Sequence, residues 1–176
     1  MTSEAFVSAM GAAVTGVSVV TTDGAGGRLG LTVSSMASVS ADPPMLLVCI
    51  GRRSPIVEAI RGNGVFAVSA LGAHQAAVAD TFAGRREWAE PYDFASASWA
   101  RGAGGAALLV GAAARFSCAV ASTADAGSHT IVIGDVLAAD RGAVRPLAYT
   151  RRSYAVPAPL GVDRHGGSRA RLGTLR

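Results

Sequence analysis

The sequence predicts a mainly β domain with short helices, arranged as a closed or nearly closed antiparallel barrel. Three observations lead there. Short β-branched or continuous apolar runs recur along the 176 residues. Turn residues separate them, and the long helices that parallel βαβ units need are missing between consecutive runs. A chain of this length has the material for one core and needs neither a metal nor a disulfide to fold.

Residues 3–13 place Phe6, Met10 and Ala13 at helical spacing and read as a short helix. The β-branched run 17–22 ends in Asp23-Gly24-Ala25-Gly26-Gly27, a hairpin turn, and a partner strand runs over 28–34. Residues 45–50, entered through Asp42-Pro43-Pro44, are short, continuous and apolar, as a buried strand is. Ser54-Pro55 opens a helix, with Ser as the N-cap and Pro at the first helical position, and Asn63-Gly64 closes it before a strand at 65–69. A second helix is expected at 74–82. Residues 83–101, with Trp88, Pro91, Tyr92 and Trp99, read as a long loop, and loops of that length are uncommon unless functional. Strands at 106–110, 112–122, 129–138, 146–149 and 154–156 complete the domain, which runs from 1 to 156. From 157 to 176 the composition turns to Pro, Gly, Ser and Arg without periodicity, the pattern of a disordered tail.

Composition excludes several classes. Charged residues make up only 16%, and the apolar runs fall far short of the roughly 20 residues that span a bilayer. The N-terminus carries no basic segment before its apolar stretch, so no membrane association is expected and the cytoplasm is the expected location. The formal charge of +4 comes largely from the tail arginines Arg164, Arg169, Arg171 and Arg176. No basic stripe with interleaved aromatics remains, and no nucleic-acid partner is expected. His74, His129 and His165 have no metal-ligand spacing with one another or with Cys49 or Cys118, so no metal is expected. The two cysteines read as small buried hydrophobes. Gly102-Ala103-Gly104-Gly105 imitates a dinucleotide fingerprint, but it precedes an apolar strand instead of joining a strand to a helix, and reads as a turn.

The segment Gly30-Leu31-Thr32-Val33-Ser34-Ser35-Met36-Ala37-Ser38-Val39-Ser40 is crowded with hydroxyls and is followed, after one strand, by Arg52-Arg53-Ser54-Pro55. If 32–40 were one strand, Thr32, Ser34 and Met36 would share a face, and so would Ser38 and Ser40. Hydroxyls on a barrel rim can bond a ligand's carbonyls, ring nitrogens or phosphate. Arg52 or Arg53, just before a helix N-terminus, would add the charge that phosphate needs. A solvated strand face with a serine cap is the plainer alternative.

That segment, extended through Ala41-Asp42-Pro43-Pro44, resembles the signature of the flavin reductase family with the FMN-binding split barrel, the small reductase components of two-component flavin monooxygenases. The likeness continues through Leu46-Leu47-Val48-Cys49-Ile50, Arg53-Ser54, Phe66-Ala67-Val68-Ser69, Phe82-Ala83-Gly84, residues 127–136 and Pro146-Leu147-Ala148-Tyr149, in order, over roughly 6–154. The resemblance implies that Thr32, Val33, Ser34 and Ser35 lie along the flavin, and the hydroxyl pattern adds Ser38 and Ser40 as cofactor-binding candidates. Cys49, Ile50, Gly51, Arg53 and Ser54 would face the ring edge and phosphate. Phe82, Ala83, Gly84 and Arg86 resemble the segment that closes over the phosphate and tail.

His129 matches the family position where a histidine approaches the nicotinamide, and is the candidate catalytic residue. Ser128 stands where the family has Asp, which leaves the nicotinamide preference open, with NADH favoured over NADPH. Tyr154 matches an aromatic beside the second ligand, with Arg151 or Arg152 available for its phosphates. The implied activity is NAD(P)H:flavin oxidoreduction on FMN, FAD or both, with hydride transfer by ring stacking. The expected assembly is a homodimer that passes diffusible reduced flavin to a monooxygenase. The alternatives are a non-enzymatic flavin- or haem-binding split-barrel module, a pyridoxamine phosphate oxidase-like enzyme, whose basic cluster is not visible, and a nucleic-acid-binding barrel.

Overall fold

The computed structural model describes residues 1–84 and 92–160. Helix α1 (Ser3–Ala12) is followed by strands β1 (Thr15–Gly16), β2 (Ser18–Thr22), β3 (Leu29–Val33), β4 (Ala37–Ala41) and β5 (Pro44–Gly51). Helix α2 (Pro55–Asn63), strand β6 (Val65–Ala70), a 3-10 turn (Ala73–Gln75) and helix α3 (Ala76–Phe82) come next. A second 3-10 turn (Phe94–Ser96) leads to β7 (Trp99–Arg101) and β8 (Ala107–Leu109). The long hairpin β9 (Ala114–Ala126) and β10 (His129–Arg141) precedes the short pair β11 (Ala148–Thr150) and β12 (Ser153–Ala155).

Seven strands form one antiparallel sheet in the order β3-β2-β6-β9-β10-β5-β4. The edge strands β3 and β4 are consecutive in sequence, joined only by Ser34, Ser35 and Met36. Four Cα steps reach about 14 Å, whereas six strand spacings in a flat sheet cover about 29 Å. The sheet therefore has to curl until its edges approach. Ser35 fastens the seam: its Oγ accepts from the Cys49 amide (3.0 Å) and donates to the Cys49 carbonyl (2.8 Å).

Strand alternation sends two sets of side chains to opposite faces. Val20, Val33, Val48, Ile50, Phe66, Val68, Cys118 and Val132 pack with Ile56, Val57 and Ile60 of α2 as one core. Helix α2 presents that apolar stripe because Pro55 starts it and Gly64, in the left-handed conformation (φ 67°), ends it. The second core sets Val17, Val19, Leu71, Leu109 and Leu147 against Ala79 and Phe82 of α3. Gly134 is required inside the barrel, since a Cβ there would lie 2.5 Å from the Phe66 ring, which has no exposed surface to yield into.

Three expectations are corrected. Residues 32–40 are not one alternating strand; the chain breaks after Val33 and resumes at Ala37 on the other sheet edge, because closure needs a sharp crossover. Ser54 occupies the N-cap of α2 but its side chain makes no capping bond. The stretch read as a loop contains, within the described residues, a 3-10 turn and β7, folded onto Phe82. Helix α1 buries none of its residues, and Phe6 and Met10 stay about half exposed. Trp88 and Pro91, and the tail from 161, lie outside the described residues.

Candidate functional site

A cleft of about 120 Å³ opens at the C-terminal end of β3, lined by Val17, Thr32, Val33, Ser34, Ala83, Tyr149 and Tyr154. Strand β3 is a sheet edge, paired with β2 on one side only, so its outward backbone groups have no partner strand. The hydroxyls divide by role. Thr32 Oγ1 donates to the Ala79 carbonyl (2.8 Å), tying β3 to α3, and Ser35 is committed to Cys49. Ser34 is exposed and makes no side-chain hydrogen bond among the described residues.

The far wall is built by α3 and the β11–β12 hairpin. Phe82, fully buried, stacks edge-on to Phe94 and Trp99 with centroids 5.2 and 5.3 Å apart, which fixes where Ala83 and Gly84 emerge. Gly30 admits that ring, since a Cβ there would lie 2.5 Å from it. Tyr154 donates its phenol O–H to Asp80 Oδ1 (2.7 Å) and packs edge-on to Tyr149 (5.6 Å), so its ring is held from two directions.

A second, open groove of about 680 Å³ lies at the C-terminal end of β5, lined by Gly51, Arg52, Arg53, Ser54, Gly127 and Ser128. The two arginines differ. Arg52 is engaged: its Nε lies 3.4 Å from Asp125 Oδ2, and its Nη1 donates to the Gly127 carbonyl (3.3 Å). The Asp125 carboxyl is held below its ordinary pKa, chiefly by the hydrogen bond from Thr130 Oγ1 (2.7 Å), with Arg52 and Arg61 contributing. Arg53 is exposed and has no ion pair among the described residues. With the Ser54 hydroxyl, which makes no capping bond, it forms a cationic rim suited to a phosphate. His129 pairs with Gly51 across β5–β10, beside this groove, and its Nδ1 lies 2.9 Å from Ser128 Oγ.

The chain matches the family model described as the flavin reductase like domain over residues 10–157. The chain belongs to this family. It is 40% identical over 149 residues to "FMN reductase (NADH) RutF" of Ancylobacter novellus, covering 84% of this chain and 80% of that protein. Among solved structures, the NADH:FAD oxidoreductase SgcE6 of Streptomyces globisporus C-1027, in complex with NAD and FAD fragments, superposes with a TM-score of 0.80 at 32% identity, covering 91% of this chain and 93% of that one. BorF, the flavin reductase component of a bacterial two-component tryptophan halogenase, superposes with a TM-score of 0.79 at 36% identity over 88% and 98% of the two chains. The expected mainly β, split-barrel architecture is the one observed.

The flavin reductase fold brings Thr32, Val33, Ser34, Ala83 and Tyr154 into one cleft and Gly51, Arg53 and Ser54 into the groove, with Ser35 and Cys49 at the seam. Ile50 points into the barrel core and Phe82 into the second core. Other residues fall elsewhere. Ser38 and Ser40 line an apolar hollow near the start of β5, beside Met36, Pro44 and Phe116, because the crossover moves them to the other edge. Arg151 and Arg152 line an opening against α1, where the Arg151 amide donates to the Gly11 carbonyl. Arg86 lies outside the described residues. Cys118, with no exposed surface, has its thiol pKa pushed up to about 12 by burial and then by Asp135, so it stays protonated and inert. Sequence reasoning missed Tyr149, Asp80 and Asp125. The first was legible as the cross-strand partner of Tyr154 around a two-residue turn; the other two carry no local signal.

Proposed function

We propose that this chain is an NADH-dependent flavin reductase that reduces FMN or FAD and releases the reduced flavin to a partner monooxygenase. The observation that carries this reading is the pairing of an edge-strand cleft at Thr32–Ser34 with a groove where Arg53, unlike Arg52, has no ion pair among the described residues. The residues fit a flavin: outward backbone groups of β3 can bond a ring edge, Ser34 can bond the polar chain, and Arg53 with Ser54 can hold a phosphate. Flavin and nicotinamide rings supply the hydride chemistry when they stack; the protein's part is to impose that geometry. Tyr154, fixed by Asp80, walls the cleft, and His129 with Ser128 stands beside the groove to orient the nicotinamide. The family match and the NADH-dependent relative support the donor. The two-component neighbour supports a separate partner enzyme that takes up the reduced flavin.

The chain works as a homodimer. Support comes from the apolar hollow at Met36, Pro44, Phe116 and Val136, whose rim residues Ala37 and Ala139 are exposed.

The test is oxidation of NADH and NADPH in air with no flavin, FMN or FAD added. Turnover that requires added flavin and saturates with it is expected, with NADH the better donor. His129→Ala should lower nicotinamide turnover while FMN binding stays intact. Binding of FMN without turnover by either donor would overturn the reductase reading and leave a binding module.

A further inference from the structure

A further cavity lies at the far end of the β2–β3 hairpin from the Thr32 cleft. It is open, has a volume of about 470 Å³, and is lined by Asp23, Arg28, Trp99, Arg101, Gly104 and Gly105, among others. That volume lies in the range of small-ligand pockets. The length of β3, about 14 Å, separates it from Ser34, and α2, about 13 Å long, separates it from the Arg53 groove.

Its chemistry comes from two guanidinium groups. Arg28 is clamped: its Cζ lies 4.1 Å from the centroid of Phe94, and its Nε 3.5 Å from Asp23 Oδ2. Its other N–H groups have no partner among the described residues. Arg101 is exposed and makes neither an ion pair nor a side-chain hydrogen bond among the described residues. It lies along bare backbone, since a Cβ on Gly105 would sit 3.4 Å from its Nη2.

Gly104 and Gly105 adopt φ 81° and 101°, so the loop carries no side chains of its own there, with Val65 and Leu137 against Gly104 and Arg101 against Gly105. Within it the Gly102 and Gly105 amides are engaged, while those of Ala103 and Gly104 donate to nothing among the described residues. Two guanidiniums against one carboxylate leave a net positive charge. Trp99, held by its indole N–H donating to the Phe94 carbonyl (2.9 Å), forms an aromatic wall.

We propose that this cavity binds a small phosphate-bearing anion, with Arg28 and Arg101 as phosphate ligands and Trp99 beside the base when a nucleoside monophosphate carries the phosphate. The inference stands apart from the flavin reading, because it uses none of the same residues.

The experiment titrates the full-length, flavin-free protein with AMP and, separately, with inorganic phosphate, following backbone amides and indole N–H groups by heteronuclear NMR. Saturable shifts at Gly104, Gly105 and the Trp99 indole are expected. Arg101→Gln and Arg28→Gln should each weaken binding about tenfold, as loss of a charge-assisted bond does, while still binding FMN as the parent does. Arg53→Gln should leave it unchanged. Tighter binding of AMP than of phosphate places the base at Trp99, and equal affinities assign the site to the phosphate alone; both support the proposal. No saturable shift at Gly104 and Gly105 overturns it. So does affinity that survives both arginine substitutions, or binding that disappears with Arg53→Gln instead.

Discussion

Arg52 and Arg53 are chemically identical neighbours, and their surroundings separate them. Arg52 is tied to Asp125 and the Gly127 carbonyl, whereas Arg53 faces the groove with no carboxylate partner among the described residues. Arg53→Gln is therefore expected to weaken FMN binding about tenfold, the worth of one charge-assisted phosphate contact. Arg52→Gln should change it much less. Titration of FMN fluorescence measures both, and a larger loss at Arg52 would reverse the assignment. The same sorting applies to the hydroxyls. The sequence offers Thr32, Ser34 and Ser35 as equals, but Thr32 anchors α3, Ser35 closes the seam, and Ser34 is left toward the cleft.

At the scale of elements, the β9–β10 hairpin holds the segment after β5 in place. Thr130, nearly fully buried, donates to Asp125, which in turn faces Arg52, and the Arg52 amide donates to the Ser128 carbonyl. Because the folded-state pKa of Asp125 is lowered, the stabilisation from its ionised form is present at neutral pH. It is lost as pH falls through that lowered value, below about pH 4. Thr130→Val removes the largest cause and should move the Asp125 titration midpoint upward, read by carboxyl carbon NMR. Thr130→Ser should restore it. An unchanged midpoint would assign the shift to the arginines instead. The stability change should be small, since the ion pairs are exposed.

At the scale of the molecule, barrel closure places the β4 edge, Met36 and the ends of β9 and β10 around one apolar hollow. A second copy covering that hollow would remove its exposed lining residues Ala37 and Ala139 from water. The double substitution Ala37→Asp with Ala139→Asp should therefore halve the mass measured by light scattering at micromolar concentration, without unfolding the barrel. A parent protein that is already a monomer, or a double variant that remains a dimer, would place the interface elsewhere or remove it.

Most strands, α2 and the hairpin turn at 23–27 were determined by sequence alone, because side-chain period, Pro55 and the glycine turns act within a few residues. Sequence also carried the family, through ordered motifs from Gly30 to Tyr149. Tertiary structure decided the rest. A three-residue crossover sends Ser38 and Ser40 away from Thr32 and Ser34, although alternation would group them. Asn63, at the end of α2, pins the β2–β3 turn through Gly26, Thr22 and Gly27, a contact with no local sequence signature. Which hydroxyl and which arginine remain available depends on partners 14 to 75 positions away in the chain. Local periodicity encodes elements; the availability of a functional group depends on what the closed barrel brings against it.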